Sequence, residues 1–142
     1  MDGAAAEAES HPDIELEQVS LRRDAASERW NISWRIKNLT VHPMRMDSVV
    51  LPHGQFKAEK RRFEPALHLA GGENAAFHTA VRCEEPEGPV TENAFLIFQV
   101  QWLDRPWRVF VRVKVAVNSQ REPHAAVELI TTQQVGFSGA AG

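Results

Sequence analysis

Apolar and polar residues alternate along most of this chain with a period of two. Over residues 30–37 one side of the pattern is apolar: Trp30, Ile32, Trp34 and Ile36. Residues 107–117 place Trp107 and five valines on one face, and residues 77–84 carry a third row that ends near Cys83. Successive side chains of a β-strand point to opposite faces, so these rows predict three half-buried strands.

Proline and glycine breaks, Pro65 among them, separate weaker strand patterns along the rest of the sequence. A change of phase near Gln18 predicts a β-bulge in the first of them. Residues 94–102 are apolar almost throughout, which is typical of a central strand. No segment has the apolar stripe of an amphipathic helix. The additional strands are predicted over residues 14–22, 45–51, 56–63, 94–102 and 126–135.

Seven to eight short strands separated by turns predict an all-β fold. The expected architecture is a two-layer antiparallel immunoglobulin-like sandwich, with a small barrel as the alternative. Residues 13–137 would form this β-sandwich domain. Residues 1–12 are expected to be a disordered acidic N-terminal arm, and residues 138–142 a disordered tail.

The connection between Trp102 and Trp107 allows a register to be predicted for one hairpin. Pro106 has no N–H group to complete the bonded pair that a two-residue loop needs, which favours a longer loop. A four-residue loop would pair Trp102 with Trp107 and place Phe98 opposite Val111. Both of these side chains, together with Trp34, are expected to be buried in the core.

The opposite face of the same hairpin carries large apolar residues where a solvated sheet would be polar. Phe95, Ile97 and Phe110 lie there, with Arg108 and Arg112 beside them. Apolar side chains bordered by arginine are typical of the centre of a protein interface. These five residues are the candidate interface, for a protein partner or for a second copy that would make a homodimer. The alternative is that a loop, or the strand near residue 130, covers them within the monomer.

Two segments resemble bacterial immunoglobulin-like modules of the cell-adhesion-related type. The first runs from Trp34 to Asn38 and continues, after a polar connection, into residues 48–52. The second runs from Leu67 to Glu73, with Phe77 following. Gly71 stands where a proline is usual in those modules, and Thr40 stands near the position of a usual glycine. The resemblance implies a binding or spacer role and no catalytic residue.

Composition and charge narrow the classes of protein further. The chain has 142 residues and a formal net charge of −3. Residues 1–17 contain six acids and no lysine or arginine, so the remainder carries about three positive charges. That is too few to predict a nucleic-acid-binding domain. No apolar run reaches the length of a membrane span, and no membrane insertion is expected. No secretory signal is recognisable, so the expected location is cytoplasmic by default.

The sequence has few features that would indicate an enzyme or a metal site. The six histidines form no close ligand pair, and the single cysteine excludes both an internal disulfide and a Cys-x-x-Cys motif. His68 and His78 would approach each other if residues 66–69 and 76–80 formed a hairpin. Cys83 is expected to be a buried, unreactive thiol. The basic run from Lys57 to Arg62 is interpreted as a solvated strand edge. No cofactor and no enzymatic activity are predicted.

The sequence therefore predicts a non-catalytic immunoglobulin-like interaction module that associates with itself through an outer sheet face. Two alternatives remain open at this stage. The chain could be a small structural or accessory subunit of a larger assembly. It could also be an enzyme or metal-binding protein of unrecognised type.

Overall fold

The computed structural model describes residues 9–52, 56–83 and 91–136, with only the backbone described for residues 91–93. The described residues contain no helix, and therefore none that could cross a membrane. All eight predicted strands are confirmed. Their bounds are Ile14–Asp24 (β1), Arg29–Asn38 (β2), Met44–Leu51 (β3), Phe56–Leu69 (β4), Asn74–Cys83 (β5), Thr91–Trp102 (β6), Arg105–Val117 (β7) and Pro123–Gln134 (β8).

The strands form one antiparallel sheet in the order β1-β2-β5-β4-β3-β6-β7-β8. Its two outer strands approach each other, so the sheet is nearly closed and barrel-like. Gln18 joins them: its Nε2 donates to the Pro123 carbonyl at 3.0 Å, and its Oε1 accepts from the Ala125 N–H at 2.8 Å. The predicted bulge is confirmed between Gln18 and Ser20. The all-β antiparallel prediction is also confirmed.

Strand β4 connects the two halves of the sheet. Phe56 and Lys57, at its start, pair with the end of β5, and the rest of β4 pairs with β3. Pro65, which was predicted to separate strands, lies inside β4 instead. It falls between Arg62 and Leu67, where the β3–β4 register is interrupted. Proline is tolerated there because an irregular stretch of strand requires no ladder hydrogen bond from it.

The core lies inside this curved sheet. Trp34, Phe98 and Val111 are each 0% exposed, which confirms their predicted burial. Phe77 packs between Trp34 and Phe98, with ring centroids 6.4 and 5.7 Å away. The Trp34 Nε1–H donates to the Thr79 hydroxyl at 2.9 Å, so this buried indole is satisfied.

The predicted register of the β6–β7 hairpin is wrong by two residues on β7. Trp102 pairs with Arg105 across a two-residue turn, and Leu103 and Asp104 both have positive φ, as such turns require. Pro106 lies opposite Gln101, next to the closing pair rather than in it, and its carbonyl accepts from the Val135 N–H. A shift of two residues preserves both faces of a strand, so the predicted inward and outward rows remain correct.

One end of the barrel is closed by a polar cluster of Asn38, Thr40, His42 and Trp102, called here the amide end. The Asn38 Nδ2 donates to the carbonyls of His42 (2.7 Å) and Leu69 (3.1 Å). Its Oδ1 accepts from the Thr40 N–H, and the Trp102 Nε1–H donates to the Thr40 hydroxyl. Asn38 is fully buried, so each polar atom of its amide has a partner in place of water.

The β4–β5 turn can pack against the amide end only because it contains two glycines. A Cβ atom at Gly71 would lie 2.6 Å from the Val41 carbonyl oxygen, closer than any side chain permits. Gly72 has a φ of +79° and donates its N–H to the Asn38 carbonyl. Close backbone approach and a left-handed turn explain the glycine pair.

The final residues of the predicted N-terminal arm lie against this end. Pro12 is buried, and the Glu9 carboxylate accepts from the Val41 N–H at 3.0 Å. Residues 1–8 of that arm and the predicted tail at 138–142 lie outside the described residues.

Candidate functional site

The outward face of β6 and β7 carries a contiguous group of apolar side chains, called here the outer patch. Val50 lies beside Ile97, and Ile97 lies directly opposite Phe110. One row further along, Phe95 lies opposite Arg112, whose neighbour on β8 is Leu129. Four of the five apolar residues are half-buried, and Leu129 is 47% exposed. The members of the outer patch are Val50, Phe95, Ile97, Phe110 and Leu129.

The structure brings all five predicted interface residues together. Ile97 and Phe110 form the central row. Phe95 and Arg112 form the row on one side, and Arg108, opposite Gln99, forms the row on the other. Arg108 is exposed and Arg112 is half-buried. In the predicted register Ile97 faced Arg112, so the observed pairing makes the apolar centre more continuous than expected.

A shallow pocket of about 220 Å³ opens within the outer patch. Its apolar wall is formed by Val50, Ile97 and Phe110, and Lys60 and Arg108 stand at its rim. Gln99 also lines it and is held by the Ser48 hydroxyl at 3.2 Å from its Oε1. Such a depression in a sheet face can accept one side chain of a partner, which is how anchor residues dock at protein interfaces.

Charges of both signs surround the outer patch. Glu128 forms ion pairs with Arg112 at 3.0 Å and with Lys114 at 3.2 Å. Among the residues that the structure describes, neither Lys60 nor Arg108 has an ion-pair partner. The patch therefore has a paired rim at Arg112, Lys114 and Glu128. Its two cations without ion pairs to described residues are Lys60 on β4 and Arg108 on β7.

Strand β8 does not cover the outer patch. It pairs edge to edge with β7 and extends the sheet, with Phe110 opposite Thr131. The alternative that the strand near residue 130 folds over this face is therefore wrong. Val50 and Leu129 were missing from the predicted interface, because their membership depends on which strands flank β6 and β7. Alternation within one strand carries no information on strand order.

The structure does not unite the histidines that suggested a metal site. Residues 66–69 and 76–80 do not pair, because β4 runs beside β3 there while β5 runs beside β2. His68 lies opposite Arg45 and His78 lies opposite Ser33. Within residues 9–52, 56–83 and 91–136, no group of three His, Cys, Asp or Glu side chains could hold a metal ion.

Cys83 is less buried than its position in the pattern predicted. It continues the inward row of β5, but it is the last residue of that strand and lies at the open end of the barrel. It is consequently half-buried and lines a cleft with Arg82 and Trp30. The prediction of a fully buried thiol is wrong, because it extended the burial of mid-strand residues to the end of a strand.

Comparisons with known proteins do not assign this chain to a family. No protein-family model and no curated protein matches the chain. One solved structure is titled "X-ray structure of Northeast Structural Genomics Consortium target SoR45". It is 14% identical over 89% of this chain and 87% of its own, with a TM-score of 0.23. A similarity at that level supports no statement about fold or function.

Proposed function

We propose that this protein is a non-catalytic interaction module that pairs with a second copy of itself through the outer patch. The observation that carries the proposal is the direct pairing of Ile97 with Phe110 on the outward face, with Val50 beside Ile97 and with Phe95 and Leu129 in the next row. Solvated sheet faces normally carry polar side chains, so a row of large apolar residues indicates a surface that is covered in use.

The strand order supports an immunoglobulin-like arrangement for such a module. In antibody constant domains the first, second, fifth and fourth strands form one sheet, and the third, sixth and seventh form the other. The order β1-β2-β5-β4-β3-β6-β7 follows that sequence of neighbours. We propose the two-layer description on this basis, with β8 as an additional strand beyond β7. Modules of this architecture commonly act through a sheet face or through loops.

The dimensions of the outer patch favour a weak, reversible dimer. Four strands about 4.8 Å apart and about seven residues long cover roughly 450 Å² per copy. The pair would bury about 900 Å² in total, which is the low end for a specific interface. The dimer should therefore form at micromolar to millimolar concentration and dissociate on dilution.

Two-fold symmetry gives this pairing a favourable arrangement of charge. An axis parallel to β6 and β7 places the β3 side of one copy over the β8 side of the other. The free Lys60 rim then lies toward Glu128 of the second copy. Closed two-fold pairing also uses one patch twice, which is the commonest solution for homo-oligomers.

The test is the oligomeric state of Ile97→Glu. Association would bury an unpaired carboxylate, so the dissociation constant should rise at least about 100-fold, which corresponds to about 3 kcal/mol. The monomer should remain folded, because Ile97 points away from the core. Sedimentation equilibrium over a wide concentration range measures the first effect, and circular dichroism checks the second.

Ala76→Glu is the matched control. Ala76 is exposed on β5, in the other half of the sheet, and receives the same new charge opposite Arg35. This variant should associate like the wild type. A wild-type chain that is monomeric at millimolar concentration contradicts the proposal. Equal weakening by both substitutions also contradicts it, because net charge rather than the outer patch would then control association.

A further inference from the structure

The end of the barrel opposite the amide end contains an arginine-lined cleft of about 430 Å³. Arg23 comes from the end of β1, Arg82 from the end of β5, and Arg121 from the β7–β8 turn. Trp30 and Val117 line the inner side, and Glu28 supplies the single carboxylate among the described lining residues. The volume is within the range of small-molecule pockets, which is about 300–1,000 Å³.

The three guanidinium groups have no described acidic partner that would neutralise their charge. Within the described part of the chain, none of Arg23, Arg82 and Arg121 takes part in an ion pair. Arg23 lies over the Trp30 ring at 5.6 Å, a contact that orients its guanidinium without removing its charge. Convergence of like charges is unfavourable unless a counter-ion joins them.

Structured turns fix two of the three arginines. Asp24 accepts from the Ala26 N–H and the Ser27 hydroxyl, which closes the turn after Arg23. Asn118 Oδ1 accepts from the N–H groups of Gln120 and Glu122, on either side of Arg121. Side-chain capping of this kind holds a turn in one conformation. The backbone of the cleft is thus organised before any ligand enters.

We infer that this cleft binds the phosphate group of a small phosphomonoester. Three cations and one carboxylate leave two positive charges uncompensated, and a phosphomonoester carries between about 1.5 and 2 negative charges at pH 7. Guanidinium groups bind phosphate oxygens in pairs with matched geometry. The remaining volume, beside Trp30 and Val117, accommodates the organic part of the ester. This site is independent of the outer patch.

The chain itself contains a competing source of negative charge. Glu84, Glu85 and Glu87 follow Cys83 directly in the sequence, outside the described residues. Their carboxylates could neutralise the same arginines. The variant Glu84→Gln/Glu85→Gln/Glu87→Gln removes this competition. It therefore distinguishes a site that is blocked by the chain's own carboxylates from a chain that has no phosphate site.

The experiment is a titration with inorganic phosphate and with phenyl phosphate at low ionic strength, followed by NMR of the arginine Nε–H and tryptophan Nε1–H signals. We expect saturable shifts at Arg23, Arg82, Arg121 and Trp30, with phenyl phosphate binding more tightly. Arg82→Ala and Arg121→Ala should each weaken binding about 10- to 100-fold, the effect of losing a charged hydrogen bond. Arg82→Lys keeps the charge but not the paired geometry, so its affinity should lie between those of the wild type and Arg82→Ala.

Arg105→Ala is the matched control, because Arg105 is exposed at the amide end and carries no ion pair to a described residue. Its affinity for both probes should stay within about twofold of the wild type. Tighter binding by the triple glutamine variant supports the site and identifies the chain's own carboxylates as its competitor. The inference is overturned if folded wild type and triple variant both fail to bind. It is also overturned if Arg82→Ala and Arg121→Ala bind like Arg105→Ala.

Discussion

The two ends of the barrel place their polar groups in opposite situations. At the amide end, Asn38 is fully buried and both its donor and its acceptor atoms have partners. At the arginine-lined cleft, three guanidinium groups converge on about 430 Å³ without an ion-pair partner among the described residues. A satisfied buried network stabilises the fold, whereas converging like charges weaken it and favour an anionic ligand.

The amide end contributes to the stability of the fold, whereas the cleft is suited to binding. The amide end joins the β2–β3 connection, the β4–β5 turn and β6 through one side chain and its neighbours. The cleft is assembled from one strand end and two capped turns, and within the described part of the chain no side-chain hydrogen bond of its arginines connects them. Substitutions at the first end should therefore alter the free energy of unfolding, and substitutions at the second should alter ligand binding.

The largest expected effect is the loss of the Asn38 amide. Asn38→Ala removes the donor to the Leu69 and His42 carbonyls and the acceptor for Thr40, and leaves buried groups unpaired. The free energy of unfolding should fall by at least about 3 kcal/mol. Urea denaturation followed by tryptophan fluorescence measures the change.

Arg82→Ala is the comparison at the other end. Arg82 is exposed, and removal of its charge relieves repulsion. The free energy of unfolding should therefore change by no more than about 0.5 kcal/mol. The contrast between the two ends fails if the Asn38 and Arg82 variants lose similar stability.

A smaller effect is expected for Thr40→Val, which keeps the shape of the side chain but removes its hydroxyl. The Trp102 Nε1–H, now 3.0 Å from the Thr40 Oγ1, would lose its acceptor in a buried site. The cost should be about 1–3 kcal/mol in chemical denaturation. Thr40→Ser retains the hydroxyl and should recover most of that stability. Equal destabilisation by serine and valine would contradict this prediction, because serine keeps the hydroxyl that valine lacks.

The smallest effect concerns pH and the turn beside the cleft. The hydrogen bond from the Ser27 hydroxyl, followed by that from the Ala26 N–H, holds the pKa of the Asp24 carboxyl below its ordinary value. A lowered folded-state pKa stabilises the protein above the unfolded-state pKa of about 3.9, and this contribution disappears as the pH falls through the folded-state value.

Asp24→Asn should therefore lose a small amount of stability at pH 7 and almost none at pH 3, so its stability falls less than that of the wild type on acidification. Thermal unfolding of both proteins at pH 3 and pH 7 tests this sign. A variant whose pH dependence equals that of the wild type would show that Asp24 does not contribute to the turn.

Alternation of side chains determined much of this structure from the sequence alone. It located the eight strands and the inward rows that bury Trp34 and Val111. It also placed Ile97 and Phe110 together on the outward face, even though the predicted hairpin register was off by two residues. These features depend on neighbouring residues in one strand or one hairpin, where the period of two is a direct consequence of backbone geometry.

Only the tertiary structure decided which strands lie side by side and what their ends bring together. Strand order made Val50 and Leu129 part of the outer patch and separated His68 from His78. Closure of the sheet placed Gln18 within hydrogen-bond distance of β8. It also placed Arg23, Arg82 and Arg121 around one cleft. Contacts between distant segments depend on the balance of packing over the whole sheet, which the alternation within any one segment does not encode.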